Sequence, residues 1–190
     1  QQFTNYAHDP EYPNSLSSDG VVCLFEDKNG ILWIGTERAG LNVFDPEKQK
    51  FKRYFHADSS NTSAVGFDYI SAIQADAKGN MLVGTHGQGL GIIKKRSGQI
   101  VQLHKANNSL HSDIIKKIYK TEAGIIWVGT NQGIVQLIED EQGFRTIFPF
   151  EDNSPIVQQL QQSEILSLSE NPKGTLWIGT ENNGLFRYNS

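Results

Sequence analysis

A seven-residue phrase occurs four times in this chain: Gly30-Ile31-Leu32-Trp33-Ile34-Gly35-Thr36, Gly79-Asn80-Met81-Leu82-Val83-Gly84-Thr85, Gly124-Ile125-Ile126-Trp127-Val128-Gly129-Thr130 and Gly174-Thr175-Leu176-Trp177-Ile178-Gly179-Thr180. The closing threonines fall 49, 45 and 50 residues apart, the period range of propeller blades and solenoid units.

Within each copy the side chains alternate: Leu32 and Ile34 point one way and Trp33 the other, so both faces of a short strand are apolar. The glycine that opens each copy follows a polar triplet, 27–29, 76–78, 121–123 or 171–173, and is expected to supply the positive φ of a tight hairpin turn. Another alternating run precedes each turn, at 21–25, 70–74, 114–119 and 165–168. After Gly-Thr come a short polar link, a second glycine and a third strand (41–44, 90–93, 134–138, 185–188). A fourth strand follows in three of the four copies, at 51–55, 100–104 and 144–148. Four short antiparallel strands per repeat, with tryptophan recurring in the second, predict an all-β chain of four propeller blades. Helical periodicity is confined to 156–164, where Ile156, Leu160 and Ser163 fit a short turn of helix.

Read this way, residues 1–190 form a single propeller segment, with blades at 20–56, 69–104, 113–148 and 164–190. Residues 1–8 stand outside as an orphan fourth strand, because Phe3, Tyr6 and His8 match Phe51, Tyr54 and His56 of the first repeat. The last blade ends at its third strand, so residues 3–8 are available to complete it. The strands therefore fit a closed four-bladed ring or part of a larger propeller, and an array left open would expose strand edges that invite pairing with a second copy.

Composition narrows function by exclusion. A net charge of −4 without a basic stripe argues against nucleic acid. No run is long and apolar enough to span a membrane, and no signal-peptide pattern opens the chain, so no direct membrane contact is expected of this segment. Cys23, in an alternating strand, reads as a small buried hydrophobe. The histidines lack ligand spacing, and Asp27-Lys28-Asn29-Gly30 reads as a hairpin turn rather than a calcium loop, since the distal glutamate is absent. No metal and no cofactor are expected.

The repeat unit read from Val21 or Val22 to Asp45, with its Leu-Trp-Ile-Gly-Thr core and following Gly40-Leu41 and Phe44-Asp45, resembles the two-component regulator propeller repeat, and 12–21 resembles the linker that precedes it. The second copy departs from the pattern, with Met81 for tryptophan and Gly91 where the others carry Asn42, Val135 or Phe186. The resemblance implies blades of a seven-bladed propeller, often one of two in tandem. Such propellers form the periplasmic sensor of a membrane-anchored hybrid histidine kinase, many of which control polysaccharide use; related propellers precede diguanylate cyclases. Kinase, receiver and cyclase motifs are absent from these residues, so the segment itself is expected to be non-catalytic.

Blade topology brings the links between second and third strands to the same face as the long connections 9–19, 57–69, 105–113 and 149–163. Loops held by a rigid scaffold carry function, and amides beside aromatics suit sugar hydroxyls and ring faces. The candidate ligand-binding residues are Glu37, Arg38, His86, Gln88, Asn131, Gln132, Glu181, Asn182 and Tyr69, with Phe67 and Tyr12 as further aromatics. The expected partners are a small polar or oligosaccharide ligand and either other blades of a parent propeller or a second copy of the chain. Two rivals stand beside this reading. One is a protein-interaction platform, with Ile156-Val157 as anchor. The other is a propeller lyase or hydrolase using a carboxylate pair such as Glu37 and Glu181.

Overall fold

The computed structural model describes residues 2–54, 68–150, 152–172 and 174–189. Phe55, His56 and Phe67, with the rest of the connection 55–67, lie outside the described residues. Strands β1 (Val21–Glu26), β2 (Leu32–Thr36), β3 (Leu41–Asp45) and β4 (Lys50–Arg53) pair antiparallel in chain order. The second sheet runs β5 (Ile70–Ala75), β6 (Met81–Thr85), β7 (Leu90–Ile93), β8 (Ile100–Leu103) and the third β9 (Ile115–Lys120), β10 (Ile126–Thr130), β11 (Gly133–Asp140), β12 (Gly143–Ile147). The fourth has three strands among the described residues, β13 (Ile165–Glu170), β14 (Thr175–Thr180) and β15 (Leu185–Asn189). These are the strands that alternation predicts, in the order of propeller blades. The chain divides into two compact units, 1–73 and 74–190.

The first hairpin of each sheet turns as the sequence dictates. Gly30, Gly79, Gly124 and Gly174 have φ of 75°, 82°, 86° and 80°. The turn's opening residue adds a hydrogen bond of its own. Side-chain oxygens of Asp27, Asp76, Thr121 and Asn171 accept from the backbone N–H four residues on, at 3.2, 2.8, 3.0 and 3.0 Å. Asp, Asn and Thr at this place are therefore turn residues, and the Asp27 carboxylate is engaged by Asn29 and Ile31.

In the first unit Leu16, Ile34, Phe44 and Phe51 form a buried cluster. The expected orphan strand at 3–8 is not formed. Residues 3–7 have no strand pairing, and Phe3 is fully exposed. Tyr6 instead lays its ring 4.8 Å from Phe44 and 5.6 Å from Phe51 and donates its hydroxyl to Gln49. The aromatic match to 51–56 is real, but of its two rings only that of Tyr6 is held, by stacking on the first sheet. Cys23 is half-buried, its thiol 3.6 Å from the Ile70 carbonyl.

In the second unit Trp127 is 2% exposed in a cluster with Leu160, Ile165, Leu168, Leu176, Ile178 and Phe186. Its indole stacks on Phe150 and meets Tyr188 edge-on, both at 5.9 Å, so it packs between the third and fourth sheets, as its alternation suggests. Helix α1 (Pro155–Gln161) lies where 156–164 predicts one, with Pro155 at its first turn and Leu160 in the core. In the second sheet the register corrects the expectation for Met81: Leu82, 0% exposed and paired with Ile92 as Trp33 is with Val43, fills the tryptophan position, Met81 stands where the first sheet has Leu32, and Gly91 is buried.

Candidate functional site

The links between second and third strands share one construction, and it begins at the threonine of Gly-Thr. Thr36, Thr85, Thr130 and Thr180 donate their hydroxyls to the carbonyls of Gly40, Gly89, Gly133 and Gly184 at 2.8, 2.9, 2.9 and 2.8 Å. The same oxygens accept the backbone N–H of Ala39, Gln88, Gln132 and Asn183 at 3.2, 2.9, 3.0 and 3.1 Å. Each hydroxyl thus acts as donor and acceptor at once, closing the link into a knot. The receiving glycines have φ of 72°, 75°, 88° and 71°, a region most side chains avoid. Three links are then tied to the following connection: Gly40, Gly89 and Gly133 donate N–H to the carbonyls of Asp68, Asp113 and Ser163 at 3.3, 2.8 and 2.7 Å.

These knots present the predicted residues at fixed places. In the first unit Glu37 and Arg38 are exposed at the tip of their link, Glu37 donating its N–H to Gly20 at 2.8 Å, and Tyr69 is half-buried. In the second unit His86 is exposed and bridges to Ile114. Gln88 is half-buried, its carbonyl accepting from the Gln102 amide at 2.9 Å, while its Oε1 is buried without a hydrogen-bond partner. Asn131 accepts from the Ser112 hydroxyl at 2.5 Å and donates its N–H to Ile114 at 3.2 Å. Glu181 and Asn182 are exposed and joined by a 3.2 Å hydrogen bond between their side chains. Their neighbour Asn183 bonds Gln159 and Ser163, at 3.0 and 2.8 Å, on and just beyond α1.

Only Gln132 among these lines a described cavity on this face. The cavity holds about 290 Å³ and is walled by His111, Gln132, Gly133, Ile134, Val135, Phe148 and Gln161. His111 comes from the connection before β9, Phe148 from the residue just after β12, and Gln161 from the last turn of α1. The His111 Nε2 lies 3.0 Å from the Thr130 hydroxyl, the same hydroxyl that knots the link. Burial of the ring pushes its pKa below the ordinary value of 6.5, with a hydrogen bond to the Gln132 backbone carbonyl opposing and Lys105 pushing it down further. The ring is therefore mainly neutral at pH 7, and because Thr130 gives its one proton to Gly133, His111 donates through Nε2 to Thr130, leaving Nδ1 as the acceptor nitrogen. Amides, a neutral imidazole and an aromatic ring converging on an apolar floor are the makings of a small-ligand site, and the volume sits near the lower end of the roughly 300–1,000 Å³ usual for one.

Sequence reasoning missed His111, Phe148 and Gln161. His111 and Gln161 belong to connections assigned to this face and Phe148 to the end of a fourth strand, yet nothing in the sequence marks them out from other polar or aromatic loop residues. Their convergence needs the knot at Thr130 and the docking of α1, where the Gly133 N–H meets the Ser163 carbonyl. Among the described residues no helix is long and apolar enough to cross a membrane.

Residues 15–38 and 159–182 match the two component regulator propeller family. No curated protein matches this sequence. In structure the chain is similar to the extracellular domain of a protein described as a hybrid two component system, BT3049 from B. thetaiotaomicron. The identity is 24% and the TM-score 0.76, over 98% of this chain and 23% of that one. PorZ, a surface component of the type-IX secretion system of Porphyromonas gingivalis, is similar at 15% identity and TM-score 0.65, over 88% of this chain and 25% of that one. Virginiamycin B lyase from Staphylococcus aureus follows at 16% identity and TM-score 0.57, over 88% and 55%. The chain thus spans about a quarter of the first two, and at these identities the likeness shows the propeller fold alone. In sequence, the two segments matched to the family are one at the first sheet and one at the fourth, each ending inside the link that follows Gly-Thr.

Proposed function

We propose that this chain is a non-catalytic, ligand-binding part of an extracytoplasmic two-component sensor, and that it holds a small neutral polar ligand in the cavity beside His111. The observation that carries the reading is the convergence of His111, Gln132, Gln161 and Phe148 on one cavity at the loop face. The chemistry fits a sugar: uncharged donors and acceptors meet hydroxyls, Phe148 offers a ring face, and no carboxylate lines the wall. The volume suits one sugar ring, alone or at the end of an oligosaccharide. The repeat match and the extracellular neighbour support the setting outside the cytoplasm. Signalling then requires that the ligand favour one arrangement of the parent protein over another, since only differential affinity shifts an equilibrium.

The test is calorimetric titration of the chain with a panel of neutral mono- and oligosaccharides. A binder should lose at least about fivefold in affinity in Gln132→Ala and again in Gln161→Ala, because each removes a ligand hydrogen bond worth about 1 kcal/mol or more. A binder insensitive to both would move the site elsewhere on the face; no binder in the panel would remove carbohydrate from the reading. A protein-interaction role draws on one observation, the 61% exposure of Ile156 on α1.

A further inference from the structure

The turn that joins third to fourth strand is built on acidic residues in two of the sheets and on cations in another. It opens with Asp45 in the first sheet, where the carboxylate accepts the backbone N–H of Glu47 and of Lys48, both at 3.1 Å. In the third sheet Asp140 accepts the N–H of Gln142 at 2.9 Å, with Glu139 and Glu141 on either side. The second sheet instead carries Lys94-Lys95-Arg96-Ser97 between β7 and β8. There the Lys94 N–H donates to the Gln99 carbonyl at 2.9 Å and the Gly98 N–H to the Lys94 carbonyl at 2.8 Å. Backbone groups close this turn, so its fold does not call for three consecutive cations, least of all in a chain of net charge −4.

These side chains line one cavity of about 550 Å³, together with Lys78 from the turn between β5 and β6, and with Asn80 and Glu139. A buried amide fixes its walls. Asn80, 8% exposed, donates its side-chain amide and its backbone N–H to the Asp76 carboxylate at 2.6 and 2.8 Å, while its Oδ1 accepts the Lys95 N–H at 3.1 Å. One residue thus ties the two turns of the second sheet together. The Lys95 stem then crosses the first of them, where a Cβ on Gly79 would lie 3.0 Å from Lys95 Cδ. The Lys94 Nζ stands 6.0 Å from the centre of the Phe144 ring on β12. Lys78 is paired with Glu139, whereas Lys94, Lys95 and Arg96 have no carboxylate partner among the described residues. Four cations face one carboxylate, an excess of three positive charges held in one hollow. Their mutual repulsion falls when an anion enters.

We propose that this cavity binds a compact phosphate-bearing ligand, a monoester or a diphosphate. An excess of three charges matches a dianion or trianion better than a singly charged carboxylate or sulfate ester. The lysines supply point charges and Arg96 a planar fork suited to two phosphate oxygens; the Ser97 hydroxyl, which accepts the Gln99 N–H at 3.2 Å, keeps its proton to donate. The volume lies within the roughly 300–1,000 Å³ of small-molecule sites, so the phosphate has room for an organic remainder. The cations form a cluster rather than a stripe, which fits a compact anion and not a nucleic acid. All seven lining residues belong to the second and third sheets and none to the cavity beside His111. The phosphate is either that of a free small molecule or that of a lipid headgroup.

The experiment is calorimetric titration of the full chain with inorganic pyrophosphate at low ionic strength, with acetate as control. Beside it runs co-sedimentation with phosphatidylcholine vesicles with and without phosphatidic acid. Pyrophosphate should bind at least about tenfold more tightly than acetate. Lys95→Gln and Arg96→Gln, both at exposed positions, should each weaken it about threefold and together about tenfold, with the fold verified by circular dichroism. Glu139→Gln removes the competing carboxylate and frees Lys78, so it should tighten binding about threefold. Gln132→Ala, in the other cavity, should leave it unchanged. Capture by phosphatidic acid vesicles alone, lost in the double variant, would keep the site and assign the phosphate to a lipid headgroup. Binding of neither pyrophosphate nor vesicles would overturn the inference. So would binding that acetate matches, that the double variant retains or that Glu139→Gln weakens.

Discussion

Gly-Thr recurs because its two residues do different jobs across different distances. The threonine hydroxyl closes its own link, and the glycine hydrogen leaves room for an isoleucine of the following sheet. Gly129→Ala should therefore destabilise by about 1–3 kcal/mol, as overpacking does, read from urea denaturation. An unchanged midpoint would mean that Ile165 gives way at no cost. Thr130→Val keeps the volume but removes the hydroxyl that serves Gly133, Gln132 and His111, and a loss of about 1–3 kcal/mol is expected in the same assay. Trp127→Ala empties the space between Phe150 and Tyr188, for which about 3–5 kcal/mol is the usual cost; a melting temperature near wild type would contradict its place in the core. The repetition of these residues is plain in the sequence, whereas the division of labour is not, because hydroxyl partners and Cβ clearances are three-dimensional quantities.

At the scale of elements, strands and hairpins were legible and the connections were not. Alternation and positive-φ glycines are local signals, so β1 to β15 follow from them almost residue by residue, and the spacing of Ile156, Leu160 and Ser163 sufficed for α1. The misreading at 3–8 has a physical origin: Phe3, Tyr6 and His8 copy the residue types of 51–56, but a strand needs a partner edge, and Tyr6 gains more from Phe44 and Phe51. The candidate site was legible in its face and in Gln132. Its other walls come from connections whose paths depend on the knot and on α1. His111 gives this region a pH signature. Its pKa lies below 6.5 in the fold, so between the two values the unfolded chain binds more protons, and stability rises with pH through that window. Stability should fall as pH drops through 6.5, and His111→Gln should flatten that slope; a slope unaltered by the substitution would assign it to other groups.

For the whole molecule, charge and composition argue against nucleic acid without naming a partner, and the blade count of the parent is not written in any single repeat. Gly35, Gly84 and Gly129 are each met by an isoleucine of the following sheet, Ile70, Ile115 or Ile165. The three contacts use the same two residue types, so none carries an address that distinguishes one neighbour from another. The order in which blades stand is written in the peptide chain alone, and a blade freed from that chain would be accepted wherever a glycine waits.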